Sequence, residues 1–272
     1  MKVGVLVNFS NNIRDEIKKV HDLGLKSCQI SAWNFSVFTD ENAEIIKGAM
    51  KEFDVDVSTF WCGWTGPAQW NLTEGPDTLG LVPLRYRESR MKELMTGSDF
   101  AKKIGVENFA THVGFLPENP SSVEYKSVIA DLKILAEYVK NNGQYFLFET
   151  GQETPVTLRR AIEDIGTGNL GINLDPANLI LYGKGNPVDA LDVFGEYVRD
   201  IHGKDGCYPT TGNDLGEEKA LGQGKVNFPL FVSRLKEIGY NGPITIEREI
   251  SGDEQIRDIL MAKEVLEKLF AE

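Results

Sequence analysis

Eight times along the chain a short apolar run is followed by a longer stretch of helical periodicity, and this alternation restricts the fold more than any other feature. The strand-like runs fall at about 3–8, 27–32, 55–61, 108–112, 144–149, 170–175, 198–202 and 243–247. Helical patterns follow at about 13–23, 41–52, 85–104, 123–141, 156–165, 188–196, 228–238 and 253–270. Strict alternation of this kind predicts parallel strands joined by right-handed crossovers. The chain has 272 residues, close to the roughly 250 of a (β/α)₈ barrel. The expected fold is therefore α/β, a single (β/α)₈ TIM barrel, with residues 1–272 forming one domain. No Gly-x-Gly-x-x-Gly follows the first run, so a dinucleotide site is unsupported.

The punctuation agrees with these limits. Pro155 and Pro187 sit at early helical positions, where a missing N–H does no harm. Gly24, Gly105, Gly143 and Gly239 lie just beyond helix ends, where a left-handed residue is wanted. Asn227 and Asp253 are expected to cap the helices that they precede.

The last four strand-like runs each end on a side chain able to bind a metal: Glu149, Asp175, His202 and Glu247. In a parallel barrel the C-terminal ends of all strands open on one face, where catalytic groups gather. The last four strands would then ring part of the barrel mouth with three carboxylates and one imidazole. This mixed oxygen and nitrogen shell suits one divalent ion, Mn²⁺, Mg²⁺, Co²⁺ or Zn²⁺. Asp175 precedes Pro176, so it could equally start a turn.

Composition removes other classes. The net charge of −12 argues against a nucleic-acid or anionic-membrane surface, which needs clustered cations. No apolar run approaches the ~18 residues of a membrane span, and the N-terminus alternates like a strand rather than a signal peptide. The three cysteines, Cys28, Cys62 and Cys207, are odd in number and far apart, which predicts no disulfide framework and a cytoplasmic location.

The segments Phe148-Glu149, Leu174-Asp175-Pro176, Asp200-Ile201-His202-Gly203-Lys204-Asp205 and Ile246-Glu247 resemble the xylose isomerase-like superfamily of sugar phosphate isomerases and epimerases. Leu221 to Phe228 and Gly239-Tyr240-Asn241-Gly242 add to that resemblance, which spans essentially the whole chain. It implies a metal-dependent isomerase or epimerase of a sugar, keto-sugar or inosose, free or phosphorylated, acting through an enediolate. The substrate would be a small polyhydroxy carbonyl compound. In that scheme Glu149 and Glu247 are the acid/base pair as well as ligands, and Asp175 and His202 are mainly ligands. The second nitrogen of His202 would donate to an acceptor that the sequence does not identify. Three contacts usual in ketose 3-epimerases are replaced here by Pro155, Asn178 and Tyr208. A substrate other than a free ketose turned over at C3 is therefore expected.

Further candidates flank the ligand positions. His112, Lys204, Asn178 and Gln152 are polar groups placed to touch substrate, with Arg248 and Glu249 beside them. His21 falls inside the first helix and is expected at the surface. Gly222-Gln223-Gly224 could hold a phosphate on its amides or be a plain turn. The Trp-rich loop from Trp61 to Trp70, with Trp33 nearby, suits a sugar-facing lid, a small separate core or a contact in a homo-oligomer. The alternatives retained are a metal-dependent lyase or dehydratase, a non-catalytic sugar-binding barrel, and a metallo-nuclease of the endonuclease IV type. The last needs more than three histidines and a basic face.

Overall fold

The computed structural model describes all residues 1–272. Seven consecutive strands, β1 (Lys2–Asn8), β2 (Ser27–Ala32), β3 (Asp56–Cys62), β4 (Asn108–Thr111), β5 (Tyr145–Glu149), β6 (Leu170–Leu174) and β7 (Val198–Gly203), pair in parallel with their sequence neighbours. An antiparallel hairpin, β8 (Asp205–Cys207) with β9 (Glu217–Lys219), interrupts the succession outside the barrel. The next strand, β10 (Pro243–Ile246), lies between β7 and β1 and closes the ring, with Val3 opposite Ile244. The fold is thus a (β/α)₈ TIM barrel.

Two-residue periodicity sorts the strand side chains. Val3, Val5, Val7, Phe60, Phe109, Phe146, Phe148, Ile244 and Ile246 join the buried apolar cluster of 66 residues. Each fully buried phenylalanine there contributes roughly 1.5–3 kcal/mol relative to exposure. The alternate positions turn toward the barrel axis, and many are polar: Gln29, Thr59, Asn173, Asp200 and Thr245 are all fully buried. They satisfy one another across the axis. Thr59 donates to Asp200 Oδ2 at 2.7 Å, and Gln29 Nε2 donates to Asn173 Oδ1 at 3.0 Å. Burial pushes the Asp200 carboxyl above its usual range, against the pull of these hydrogen bonds. The barrel interior is thus a polar floor beneath the site.

Eight longer helices surround the strands: α1 (Ile13–Asp22), α2 (Asp40–Phe53), α4 (Leu84–Lys103), α5 (Val123–Asn141), α6 (Pro155–Ile165), α8 (Pro187–Phe194), α9 (Phe228–Glu237) and α10 (Asp253–Ala271). Two short ones, α3 (Gly75–Thr78) and α7 (Pro176–Leu181), lie in the loops after β3 and β6. Pro155 and Pro187 open α6 and α8, and Gly24, Gly105, Gly143 and Gly239 all have positive φ, as expected. The caps differ from expectation. Asn227 is itself left-handed and makes no side-chain cap, and Asp253 is the first helical residue rather than the cap. The capping side chains are those of Thr39, Ser122, Thr154, Asn186 and Asp175. Helix α7 is a second departure, since Asp175-Pro176 opens a helical turn where the pattern suggests only a turn. No helix is long and apolar enough to cross a membrane, and all three cysteines are free.

Candidate metal centre and active-site cavity

The parallel strands bring the four strand-end side chains to one place. Glu149 ends β5, Asp175 follows β6, His202 lies near the end of β7 and Glu247 follows β10. One donor atom from each lies within 4.8 Å of the other three. His202 Nδ1 is 3.0 Å from Glu247 Oε2, 3.3 Å from Glu149 Oε1 and 3.6 Å from Asp175 Oδ2.

Three of the four ligand candidates are held from behind. Asp175 divides its two oxygens: Oδ1 accepts the Asn178 N–H at 2.9 Å and caps α7, which leaves Oδ2 facing the cluster. The helix-cap and ligand readings of Asp175 are therefore compatible. Thr150 ties the backbone down, donating to Asp175 O at 2.8 Å and accepting from Asp175 N at 2.8 Å. Glu149 Oε2 accepts the indole N–H of Trp61 from β3, and its Oε1 lies 3.2 Å from His112 Nε2. His202 Nε2 sits 2.9 Å from Gln29 Oε1 of β2, across the barrel. When Nε2 carries the proton and donates to Gln29, Nδ1 presents a lone pair to the carboxylates. In that tautomer Gln29 Oε1 is placed as the acceptor that the sequence leaves unidentified, with Asn173 Nδ2 also 3.1 Å from the same nitrogen.

Asp175 Oδ2, His202 Nδ1 and Glu247 Oε2 are all buried and make no hydrogen bond; beyond one another and Glu149 their charged neighbour is Lys204 Nζ, 3.3 Å from Glu247 Oε2 and 3.6 Å from Asp175 Oδ2. Buried polar atoms are rarely left in this state. Three of them converging beside a third carboxylate, that of Glu149, fit a divalent cation with mixed oxygen and nitrogen ligands. The electrostatics agree. Burial alone would raise the Glu247 carboxyl, but Lys204 and His202 outweigh it and bring it down to about 2. Burial likewise works to raise Glu149, yet His112 and His202 hold it well below the usual range. Both carboxylates stay ionised.

The cluster forms one wall of a cavity of about 400 Å³ in the barrel mouth. Trp33, Trp61 and Trp70 form an aromatic wall, and His112, Asn178, Tyr182 and Lys204 add polar groups. Trp33 can lie flat against the chain because position 63 is glycine. A Cβ there would stand 2.3 Å from the Trp33 ring. Part of the Trp-rich loop is a small core: Trp64 is buried, and the buried Arg90 donates to the carbonyls of Thr78, Gly80 and Pro67. The same loop therefore serves both as a packed unit and as cavity wall.

The remaining candidates divide. His112, Asn178, Lys204 and Trp33 line the cavity. Gln152 is buried but stands behind the wall, not on it. Arg248 is engaged by Glu218 and Asp258, whereas Glu249 pairs with Lys204 at 2.9 Å. His21 is exposed, as expected. The phosphate reading of Gly222-Gln223-Gly224 fails, because the amides of Gly222 and Gly224 donate to Asp205 Oδ2 at 2.9 and 3.0 Å. Sequence reasoning passed over Trp61 as a partner of Glu149, and also Glu153 and Tyr182. The two-residue parity of β2 and β3 would have turned Gln29 and Trp61 inward.

A family profile described as xylose isomerase-like TIM barrel matches residues 17–269. The uncharacterized protein MJ1311 of Methanocaldococcus jannaschii is 28% identical over 198 residues, covering 68% of this chain and 63% of that protein. The match thus spans just under two thirds of that relative's length. The solved xylose isomerase domain protein of Planctomyces limnophilus is 37% identical, with a TM-score of 0.93 over 98% of this chain and 96% of that one. The apo 3-keto-D-glucoside 4-epimerase YcjR of E. coli, at 16% identity and a TM-score of 0.73, covers 98% of this chain and 99% of its own. A further fold neighbour, from Mycobacterium smegmatis, was solved in complex with magnesium (15% identity, TM-score 0.70, covering 98% of this chain and 96% of its own).

Proposed function

The chain belongs to the xylose isomerase-like TIM barrel family, and from that premise we propose that it is a divalent-metal-dependent isomerase or epimerase of a sugar, keto-sugar or inosose. The observation that carries this reading is the convergence of Asp175 Oδ2, His202 Nδ1 and Glu247 Oε2, buried and without hydrogen bonds, beside Glu149. These four residues would hold one ion. Mg²⁺, Mn²⁺, Co²⁺ and Zn²⁺ all suit the donor set, and the magnesium in the Mycobacterium smegmatis neighbour supports it. When bound, such an ion stabilises negative charge on a carbonyl oxygen and the hydroxyl beside it.

The chain's own groups then account for the proton. Glu149 and Glu247 lie at the ends of strands that are three positions apart around the ring, with β6 and β7 between them. They can therefore approach a bound carbon from different sides. One accepts the C–H proton and the other returns a proton, which inverts the centre. Return from the same side to the neighbouring carbon would move the carbonyl instead. Trp61 and His112 fix the orientation of Glu149. The indole wall covers the apolar face of a sugar ring and excludes water.

The test is proton exchange. Protein loaded in turn with Mg²⁺, Mn²⁺, Co²⁺ or Zn²⁺ is incubated in deuterated water with a panel of keto-sugars and inososes, and label uptake next to the carbonyl is followed by NMR. Uptake is expected with metal and lost on chelation. Failure of all four metals to support uptake with any member would overturn the reading. A second expectation concerns Gln29. Gln29→Leu should weaken metal affinity by about 10- to 100-fold, read by competition with a chelating dye. Unchanged affinity would remove Gln29 from the support of His202.

A further inference from the structure

The cavity is poorly suited to a charged substrate. Its single lysine or arginine is Lys204. Lys204 Nζ is already held by Glu249 Oε1 at 2.9 Å, Glu247 Oε2 at 3.3 Å and Asp175 Oδ2 at 3.6 Å. With a metal on Glu247 and Asp175, Glu249 would still neutralise it. Arg248, in the adjoining cavity, is bound to Glu218 and Asp258. The amides of Gly222 and Gly224 are taken by Asp205. A phosphate arriving here finds no unpaired lysine or arginine and no free amide at Gly222 or Gly224, and it meets Glu249 at the rim.

A group of buried polar atoms on the β4–β5–α7 side has the opposite character. His112 Nδ1 and the Tyr182 hydroxyl belong to residues that line the cavity; His112 Nδ1 has no hydrogen-bond partner, and the Tyr182 hydroxyl has none of good geometry, with Gln152 beside it. Behind them, both polar atoms of Gln152 and both carboxyl oxygens of Glu153 are also buried and unpartnered. The four residues are between 1% and 6% exposed. An unsatisfied buried polar atom is unfavourable, and native chains keep few of them. Here six atoms are grouped in one region. Burial raises the Glu153 carboxyl to about 7, although His112 pulls it down, so near neutral pH it can carry a proton and donate. Burial keeps the Tyr182 phenol neutral, raising it to about 12. Gln152, a protonated Glu153 and the neutral Tyr182 phenol are uncharged donors and acceptors that match hydroxyl groups, while any charge on His112 is balanced by Glu149, 3.2 Å from its Nε2.

We infer that the substrate is an uncharged, unphosphorylated polyhydroxy carbonyl compound, whose hydroxyls are bound by Tyr182 and His112, with Gln152 and Glu153 positioning those two from behind. This inference rests on the sugar-directed reading of the site proposed above.

Trp33, Trp61 and Trp70 line the same cavity, so tryptophan fluorescence reports binding without turnover. Magnesium-loaded protein is titrated with D-fructose, D-xylulose and myo-inositol, and with a phosphate ester of each. The neutral member of a pair is expected to bind at least about tenfold more tightly. Tyr182→Phe should weaken that binding by about tenfold without shifting the melting temperature or the metal affinity. Glu153→Leu should weaken it and Glu153→Gln restore it, a rescue that a purely packing role would not produce. Equal or tighter binding of the phosphate esters, no binding by any probe, or full affinity in Tyr182→Phe would each overturn the inference. Neutral sugars that bind without exchanging deuterium would sink the proton-transfer reading and leave this inference standing. Exchange with phosphate esters alone would do the reverse.

Discussion

Glu149→Gln and Glu247→Gln are each expected to slow deuterium exchange by about 10²–10⁴-fold, the range assigned to a positioned acid or base. Glutamine keeps the shape of the side chain and one oxygen able to ligate, but it cannot take up a proton. In the native site both carboxylates are ionised, because Lys204, His202 and His112 more than offset the effect of burial. A metal bound at His202 Nδ1 would replace the charge of the imidazolium with its own and keep that bias. Exchange is measured at saturating Mg²⁺, with metal content determined on the same sample, so loss of the base is separated from loss of the ion. Circular dichroism and melting temperature should stay close to the parent values, since neither residue belongs to the apolar core. Exchange within about threefold of the parent rate in either variant would remove that residue from the acid/base pair.

The second large effect concerns stability and is independent of the proposed chemistry. Asp205→Ala is expected to destabilise the protein by about 3 kcal/mol or more, lowering the melting temperature by roughly 10 °C. The Asp205 carboxylate is buried and accepts four backbone N–H groups. Gly206 and Val226 donate to Oδ1 at 2.8 and 3.1 Å, and Gly222 and Gly224 donate to Oδ2 at 2.9 and 3.0 Å. One side chain thus ties the end of β7 and the hairpin to the segment that leads into α9. Its removal leaves all four amides without their acceptor, and those of Gly206 and Val226 are buried away from bulk water. Gly224→Ala should act in the same direction, since a Cβ there would stand 2.1 Å from Asp205 Oδ1. Asp205→Asn, which keeps one acceptor oxygen, should fall between. A melting temperature within about 1 °C of the parent for Asp205→Ala would show that the clamp contributes little.

The readings that held were those whose information is local. A helix that ends on glycine, a proline in a first turn and a short β-branched or aromatic run are each decided within a few residues. Eight such units in strict alternation leave few topologies open. Gathering Glu149, Asp175, His202 and Glu247 followed from one further rule, that parallel strands all end on one face. The caps proposed for Asn227 and Asp253 failed for a local reason too. The left-handed backbone of Asn227 and the placement of Asp253 one residue inside its helix leave neither side chain on the first-turn amides.

By itself the sequence determined the barrel, the order of its strands and the cluster of strand-end side chains at its mouth, because each depends on periodicity and chain direction. Only the tertiary structure decided what those side chains are free to do. Asp205 takes the amides that looked open to a phosphate, Glu249 takes the charge of Lys204, and Gln29 reaches His202 across 173 positions of sequence. Hydrogen-bond partnership is pairwise and non-local. A donor and an acceptor far apart in sequence become one satisfied pair, or two unsatisfied atoms facing a cavity, only once the chain has closed on itself.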